Sequence, residues 1–195
     1  MRRYACLPAT PVTEGEFALV TVQDEHIEAI RCWRNAQIDV LRQAEPISPD
    51  QQVQYYAQQI WPSLNLAQPR NILVSYLRDG RPIGYGGLVH LAWEHRRGEV
   101  SFLLTPELAA DPVRYPRYFA LFLRLLQRVA FEHLGLQRLC TETYAFRTST
   151  IEALEGAGFR LEGRLRRHVI VDGHPVDALM HGCLLDEWAA GAGPN

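Results

Sequence analysis

Hydrophobic and polar residues alternate along this chain in two different rhythms. Phe17 to Val22 is apolar and β-branched and predicts a first strand. Asp24 then caps a helix in which Ile27, Ile30 and Trp33 recur at helical spacing. Ser48-Pro49-Asp50-Gln51 opens a second helix, with serine as cap, proline at the first helical position and glutamine at the third. Val53, Tyr56 and Ile60 share one face of it, and Trp61-Pro62 ends it. From Asn71 the rhythm changes. Ile72 to Leu77 and Ile83 to Trp93 predict strands around an Asp79-Gly80 turn, with a bulge at Gly84, Gly86 and Gly87. Glu99 to Leu104 is the third strand of this meander. Tyr115 to Leu134 carries a wide apolar stripe through Phe119, Phe122, Leu123, Leu126 and Ala130, and Gly135 stops it. Leu136 to Tyr144 returns to strand. A capping box at Ser149 and Glu152 predicts a short helix ended by Gly156 and Gly158. Leu165 to Val171 and Val176 to Leu184 close the chain as a hairpin around Asp172-Gly173.

The strand–helix–strand step after residue 99 predicts one parallel pair, Glu99–Leu104 beside Leu136–Tyr144, in an otherwise antiparallel sheet. The fold class is therefore α+β, a mixed sheet with helices on both faces. Residues 1–16 are expected to form an irregular lead-in, 17–188 a single domain and 189–195 a tail.

Composition narrows the picture. The chain has 195 residues, enough for one well-buried core, and 20 basic against 22 acidic residues. That balance offers no electrostatic footprint for nucleic acid. All the basic residues are arginine, so no lysine takes part in chemistry. Cys6, Cys32, Cys140 and Cys183 are scattered, without the close pairs of a zinc or redox site. His90, His168, His174 and His181 show no metal-ligand spacing either, so no metal is expected. The amino terminus lacks a signal-peptide run and no segment suits a membrane span, which makes the expected location cytoplasmic.

Several stretches resemble the GNAT (Gcn5-related) acyltransferases. Ala130 to Leu139 is similar to the end of that family's long central helix and the strand after it. Ile151-Glu152-Ala153-Leu154-Glu155-Gly156-Ala157-Gly158-Phe159, followed by Glu162-Gly163, is similar to a signature further on. Arg31-Cys32-Trp33-Arg34-Asn35, Asp177 and Leu185-Asp186-Glu187-Trp188 resemble the ribosomal-protein and amino-sugar acetylating branch. The resemblance implies an N-acyltransferase that uses acetyl-CoA as co-substrate and no metal. Its acceptor would be a primary amine of a small molecule, such as an amino sugar, or of a protein amino terminus. Dimerisation through a sheet edge stays open.

Site residues follow from the same resemblance. Glu99 begins the strand where some relatives keep a general base, although it is equally placed to pair with Arg96 or Arg97. Leu103, Leu104 and Thr105 match the segment that grips pantetheine, and they suit a core strand as well. Trp33, Arg34, Asn35 and Arg42 fall where relatives build the acceptor pocket. The family's glycine-rich pyrophosphate loop corresponds to Leu108–Tyr118 here, which has no glycine and contains Pro112 and Pro116. Arg114 and Arg117 are the candidate substitutes for its lost amides. Arg147 stands at the family's asparagine and joins the cofactor-binding set. The family's acidic tyrosine is Leu154 here, with Tyr144 as a candidate replacement acid. The altered loop admits a second reading, a GNAT-like binding or regulatory module without chemistry.

Overall fold

Strand pairing begins earlier in the chain than the sequence pattern indicates. The computed structural model describes residues 1–41 and 43–191. In it β1 (Val12–Glu14) pairs antiparallel with β2 (Phe17–Thr21), inside the stretch expected to be irregular. Three residues are too few to show a period. Burial explains the ordering: Tyr4 is fully buried, and its hydroxyl accepts a hydrogen bond from the Leu73 amide at 3.0 Å. The lead-in is thus tied to the sheet.

The sheet has eight strands in the order β1-β2-β3-β4-β5-β6-β8-β7, where β3 is Ile72–Arg78, β4 Arg81–Ala92, β5 Arg97–Leu104, β6 Arg138–Tyr144, β7 Arg160–Val171 and β8 His174–Leu184. All neighbours are antiparallel except β5 and β6, as the sequence predicts. The turn at Asp172-Gly173 has positive φ at both residues, the type I′ geometry that matches strand twist. β7 starts five residues before Leu165.

Gly86 fixes the spacing between β4 and β5, because a Cβ there would lie 2.1 Å from the Ser101 carbonyl oxygen. Gly87, at φ +135°, would place a Cβ 2.0 Å from the Ile72 oxygen. The register of β4 slips beside Gly84, where Tyr76 pairs with Gly84 but Leu77 with Pro82, and slips again near its far end. Val89 pairs with Glu99 and Ala92 with Arg97, so two residues of β4 face one of β5, with His90 at φ +50°. Such bulges re-aim side chains.

Helices cover both faces. On one side α4 (Arg114–Gln127) continues through a π turn, Arg128–His133, and stops at Gly135 with φ +63°. Phe119, Phe122, Leu123, Leu126 and Val129 bury its apolar stripe in the main core, with Leu154 and Phe159 from and after α5 (Thr148–Gly156). Each fully buried Leu or Phe contributes about 1.5–3 kcal/mol. On the other side α1 (Ile27–Asn35) and α2 (Pro49–Tyr55) cover a smaller core built on Ile30, Tyr56, Leu73, Tyr85 and Leu103. The Ser48 capping box forms as expected. The one expected at Ser149 does not, because α5 begins at Thr148 and leaves Ser149 inside its first turn. A four-residue helix, α3 (Pro106–Ala109), precedes α4, and α6 (Leu185–Gly191) follows β8, three residues past the expected domain end.

Candidate active site

β5 and β6 pair over only three positions, Arg97 with Arg138, Gly98 with Leu139 and Glu99 with Cys140. Beyond them β5 stays with β4 and β6 stays with β8, so the two strands part and leave a wedge in the sheet. Side chains of a strand alternate between faces. Glu99, Ser101 and Glu142 therefore point to the α1 side, whereas Val100, Phe102, Thr141 and Thr143 point to the α4 side. A cavity of about 320 Å³ is lined by both sets. It passes through the sheet.

On the α1 side this cavity meets Arg34, Leu41, Val89 and the re-aimed His90. Glu99 and Glu142 are both half-buried on its wall, and His168 Nε2 lies 3.6 Å from Glu142 Oε1. On the α4 side the wall is Tyr115, Phe119, Arg147 and Thr150. The buried Tyr115 hydroxyl is 2.9 Å from Thr150 Oγ1 and accepts from Arg147 Nη2 at 3.0 Å. A second cavity of about 500 Å³ continues outward from the same Tyr115, Arg147 and Thr150, between Ala109, Ala110 and Pro112 on one bank and Thr148 and Ser149 on the other. Burial first, then the nearby Glu99 carboxylate, pushes the Cys140 thiol up, so it is no thiolate nucleophile.

The start of α4 borders this outer cavity. Asp111 Oδ1 accepts from the Val113 and Arg114 amides at 2.9 Å each, and the Asp111 carbonyl accepts from the Tyr115 amide at 2.9 Å. Those amides hold the Asp111 carboxyl below the usual carboxylate range. Arg114 folds back onto Asp111 Oδ2 at 3.0 Å, and Arg117 is exposed. Neither arginine lines the two cavities.

The other expected site residues divide in the same way. Arg34 reaches the wedge and also a tyrosine-lined pocket between α1, α2 and β4, with its Nε donating to Gln43 Oε1 at 3.1 Å. Trp33 packs on the smaller core, and Asn35 pins the following loop through the Ile47 amide and carbonyl at 2.8 Å each. Arg42 lies outside the described residues. Leu103 and Leu104 are core residues; the Leu104 carbonyl accepts from Gln37 Nε2 at 2.9 Å, and the Thr105 amide donates to the Ile83 carbonyl at 3.0 Å. Tyr144 packs beside Phe146, off the cavity wall. Tyr115, Glu142 and Thr150 went unnoticed in the sequence. Glu142 had a signal: it lies one period-2 step beyond the residue paired with Glu99.

A model of the acetyltransferase (GNAT) domain matches residues 19–180. The chain belongs to the GNAT acetyltransferase family. No curated protein matches. Among solved structures, a spermidine N-acetyltransferase from Vibrio cholerae in complex with CoA and spermine shares 17% identity with a TM-score of 0.78, covering 90% of this chain and 99% of its own. A dodecameric form of that enzyme in an intermediate state shares 16% at TM-score 0.77, covering 92% and 99%. A probable acetyltransferase shares 20% at TM-score 0.69, covering 93% and 100%. These likenesses give the fold. They do not bear out the ribosomal-protein and amino-sugar branch that Arg31–Asn35 resembles.

The GNAT chain is thus an N-acetyltransferase, and this favours chemistry over the binding-module reading. Its residues fit a CoA thioester unevenly. The wedge and outer cavity adjoin at Tyr115, Arg147 and Thr150, as a slot that an acyl-pantetheine arm would fit. The start of α4, by contrast, offers a diphosphate few amides, since Asp111 takes those of Val113, Arg114 and Tyr115 and the prolines at 112 and 116 have none. Among the described residues no cluster of His, Cys, Asp and Glu is arranged to hold a metal ion, and no helix is long and apolar enough to cross a membrane.

Proposed function

We propose that this GNAT protein transfers an acetyl group from acetyl-CoA to the primary amine of a small cationic molecule, a polyamine in the first instance. The observation that carries this reading is the through-sheet cavity with two carboxylates, Glu99 and Glu142, on its α1 side. Carboxylates attract an ammonium group as it approaches; it gives one proton to solvent to become a free amine, and a carboxylate takes the second as the amide forms. The neighbouring pocket of about 420 Å³, lined by Glu45, Tyr55 and Tyr85 and sharing Arg34, holds the rest of the acceptor.

The amine nitrogen attacks the thioester carbonyl within the wedge. Glu99 takes the proton that nitrogen loses, and the carbon–sulfur bond breaks. The Tyr115 hydroxyl gives its proton to the departing sulfur, and Arg147, already hydrogen-bonded to that hydroxyl, steadies the charge left on the oxygen. Tyr115 thus does the work of the missing tyrosine on α5, from the opposite wall of the slot. Leu154, fully buried, has no part in it.

The test is thiol release from acetyl-CoA in the presence of spermidine, glucosamine or a peptide with a free amino terminus, with the product identified by mass. The expected result is acetylated spermidine formed fastest. Acetylation of the peptide or the amino sugar in preference would return the acceptor to the ribosomal-protein and amino-sugar branch, and no acetylation of any amine would end the reading.

A further inference from the structure

The start of α4 is a helix entry that holds an anion already, one supplied by the chain. The Asp111 carboxylate sits on the Val113 and Arg114 amides at 2.9 Å each and draws the Arg114 guanidinium back to 3.0 Å. The first amides of a helix have no partner within it and are taken by a capping side chain, by water or by a ligand. Here they are engaged, and the bank of the outer cavity beside them is apolar: Ala109, Ala110 and Pro112. Asp39 and Arg147 are the charged residues on the wall of this cavity, and Asp111 stands directly behind Ala110 and Pro112. A diphosphate leaving the slot at this end passes amides that the Asp111 carboxylate already occupies.

We propose that Asp111 sets the donor specificity of this enzyme, so that it selects its acyl donor by the acyl-pantetheine arm and draws little affinity from the nucleotide diphosphate of CoA. The inference rests on the acetyl-transfer reading, because it concerns the donor of that reaction. The chemistry is unchanged by it: the same carbon–sulfur bond breaks and the same sulfur leaves, whatever lies beyond the pantetheine. Thioesters of pantetheine are then donors on a par with acetyl-CoA.

Calorimetric titration of the full chain with CoA and with pantetheine, at one fixed salt concentration, tests this without requiring turnover. Wild-type protein is expected to bind the two within about tenfold of each other, a small difference for a group with several charged oxygens. Asp111→Gly retains a residue tolerated at helix entries and releases the two amides and Arg114. It should tighten CoA at least about tenfold, the scale of one charge-assisted hydrogen bond, and leave pantetheine unchanged. Asp111→Asn keeps the shape of the contact, guards against misfolding of the glycine variant, and should shift CoA in the same direction by less. CoA binding more than about tenfold tighter than pantetheine in the wild type overturns the proposal, as does CoA affinity unmoved in both variants. Binding as expected, with no amine acetylated by either thioester, overturns the acetyl-transfer reading and leaves the donor preference standing. Failure of both ligands to bind at millimolar concentration overturns the two together.

Discussion

Glu99 and Tyr115 stand on opposite sides of one opening, and their roles separate accordingly. In the proposed reaction Glu99, on the α1 side, takes the proton of the incoming amine, and Tyr115, on the α4 side, protonates the departing sulfur. Glu99→Gln keeps size and hydrogen-bonding capacity but not basicity. It should lower the acyl-transfer rate at least about a hundredfold, the usual scale for losing a general base, with donor affinity unchanged by calorimetry. A rate equal to wild type would return Glu99 to a structural pairing with its arginine neighbours. Tyr115→Phe should lower the rate with acetyl-CoA by about a hundredfold as well. Its diagnostic is the leaving group. An acetyl thioester of an acidic aryl thiol departs without a proton, so the variant should approach the wild-type rate with it. An equal loss with both thioesters would mean that Tyr115 only holds Thr150 and Arg147 in place.

Among the elements, α4 and β4 bear most directly on the site. α4 is entered through Asp111, whose carboxyl is held below the usual carboxylate range by the Arg114 and Val113 amides. A lowered folded value contributes stability above the unfolded value and loses it as pH falls through the lowered one. Acidification below about pH 4 should therefore reduce the Tm of the wild type, and Asp111→Asn, which caps without titrating, should show a smaller fall in the same scan. Equal falls would mean the cap does not couple to folding. β4 sets where β5 lies, because Gly86 leaves room for the Ser101 carbonyl. Gly86→Ala should cost about 1–3 kcal/mol in denaturant unfolding, the range for forcing added volume into a packed site. It should also reduce activity, since β5 carries Glu99. Unchanged stability would contradict the close approach of these two strands.

At the scale of the whole molecule, the site exists because one strand pair is parallel and stops after three residues. Strand and helix order were legible because long periodic segments announce themselves: the α4 stripe from Phe119 to Ala130, the Ser48 capping box, the Asp172-Gly173 turn. The parallel pair followed from the helix between two strands. Glu99 was singled out by its likeness to relatives at the start of this strand, and the structure places it on the cavity wall. Tyr115 and Thr150 were not singled out, because their contacts with each other and with Arg147 join residues up to 35 apart and depend on how α4 crosses α5. Nor did sequence reveal that Asp111 turns back onto its own helix, since a carboxylate before a helix reads equally as cap or as solvated charge. The β1 strand was hidden by its length. In the proposed reaction acyl donor and amine meet inside the sheet. The most direct test is the crystallographic position of a bisubstrate analogue, spermidine joined through an acetyl bridge to the sulfur of pantetheine. The account predicts that it threads between residues 100–104 and 141–144, with its nitrogen in hydrogen-bond reach of Glu99 and its sulfur beside Tyr115. An analogue bound with neither end in that opening would contradict it.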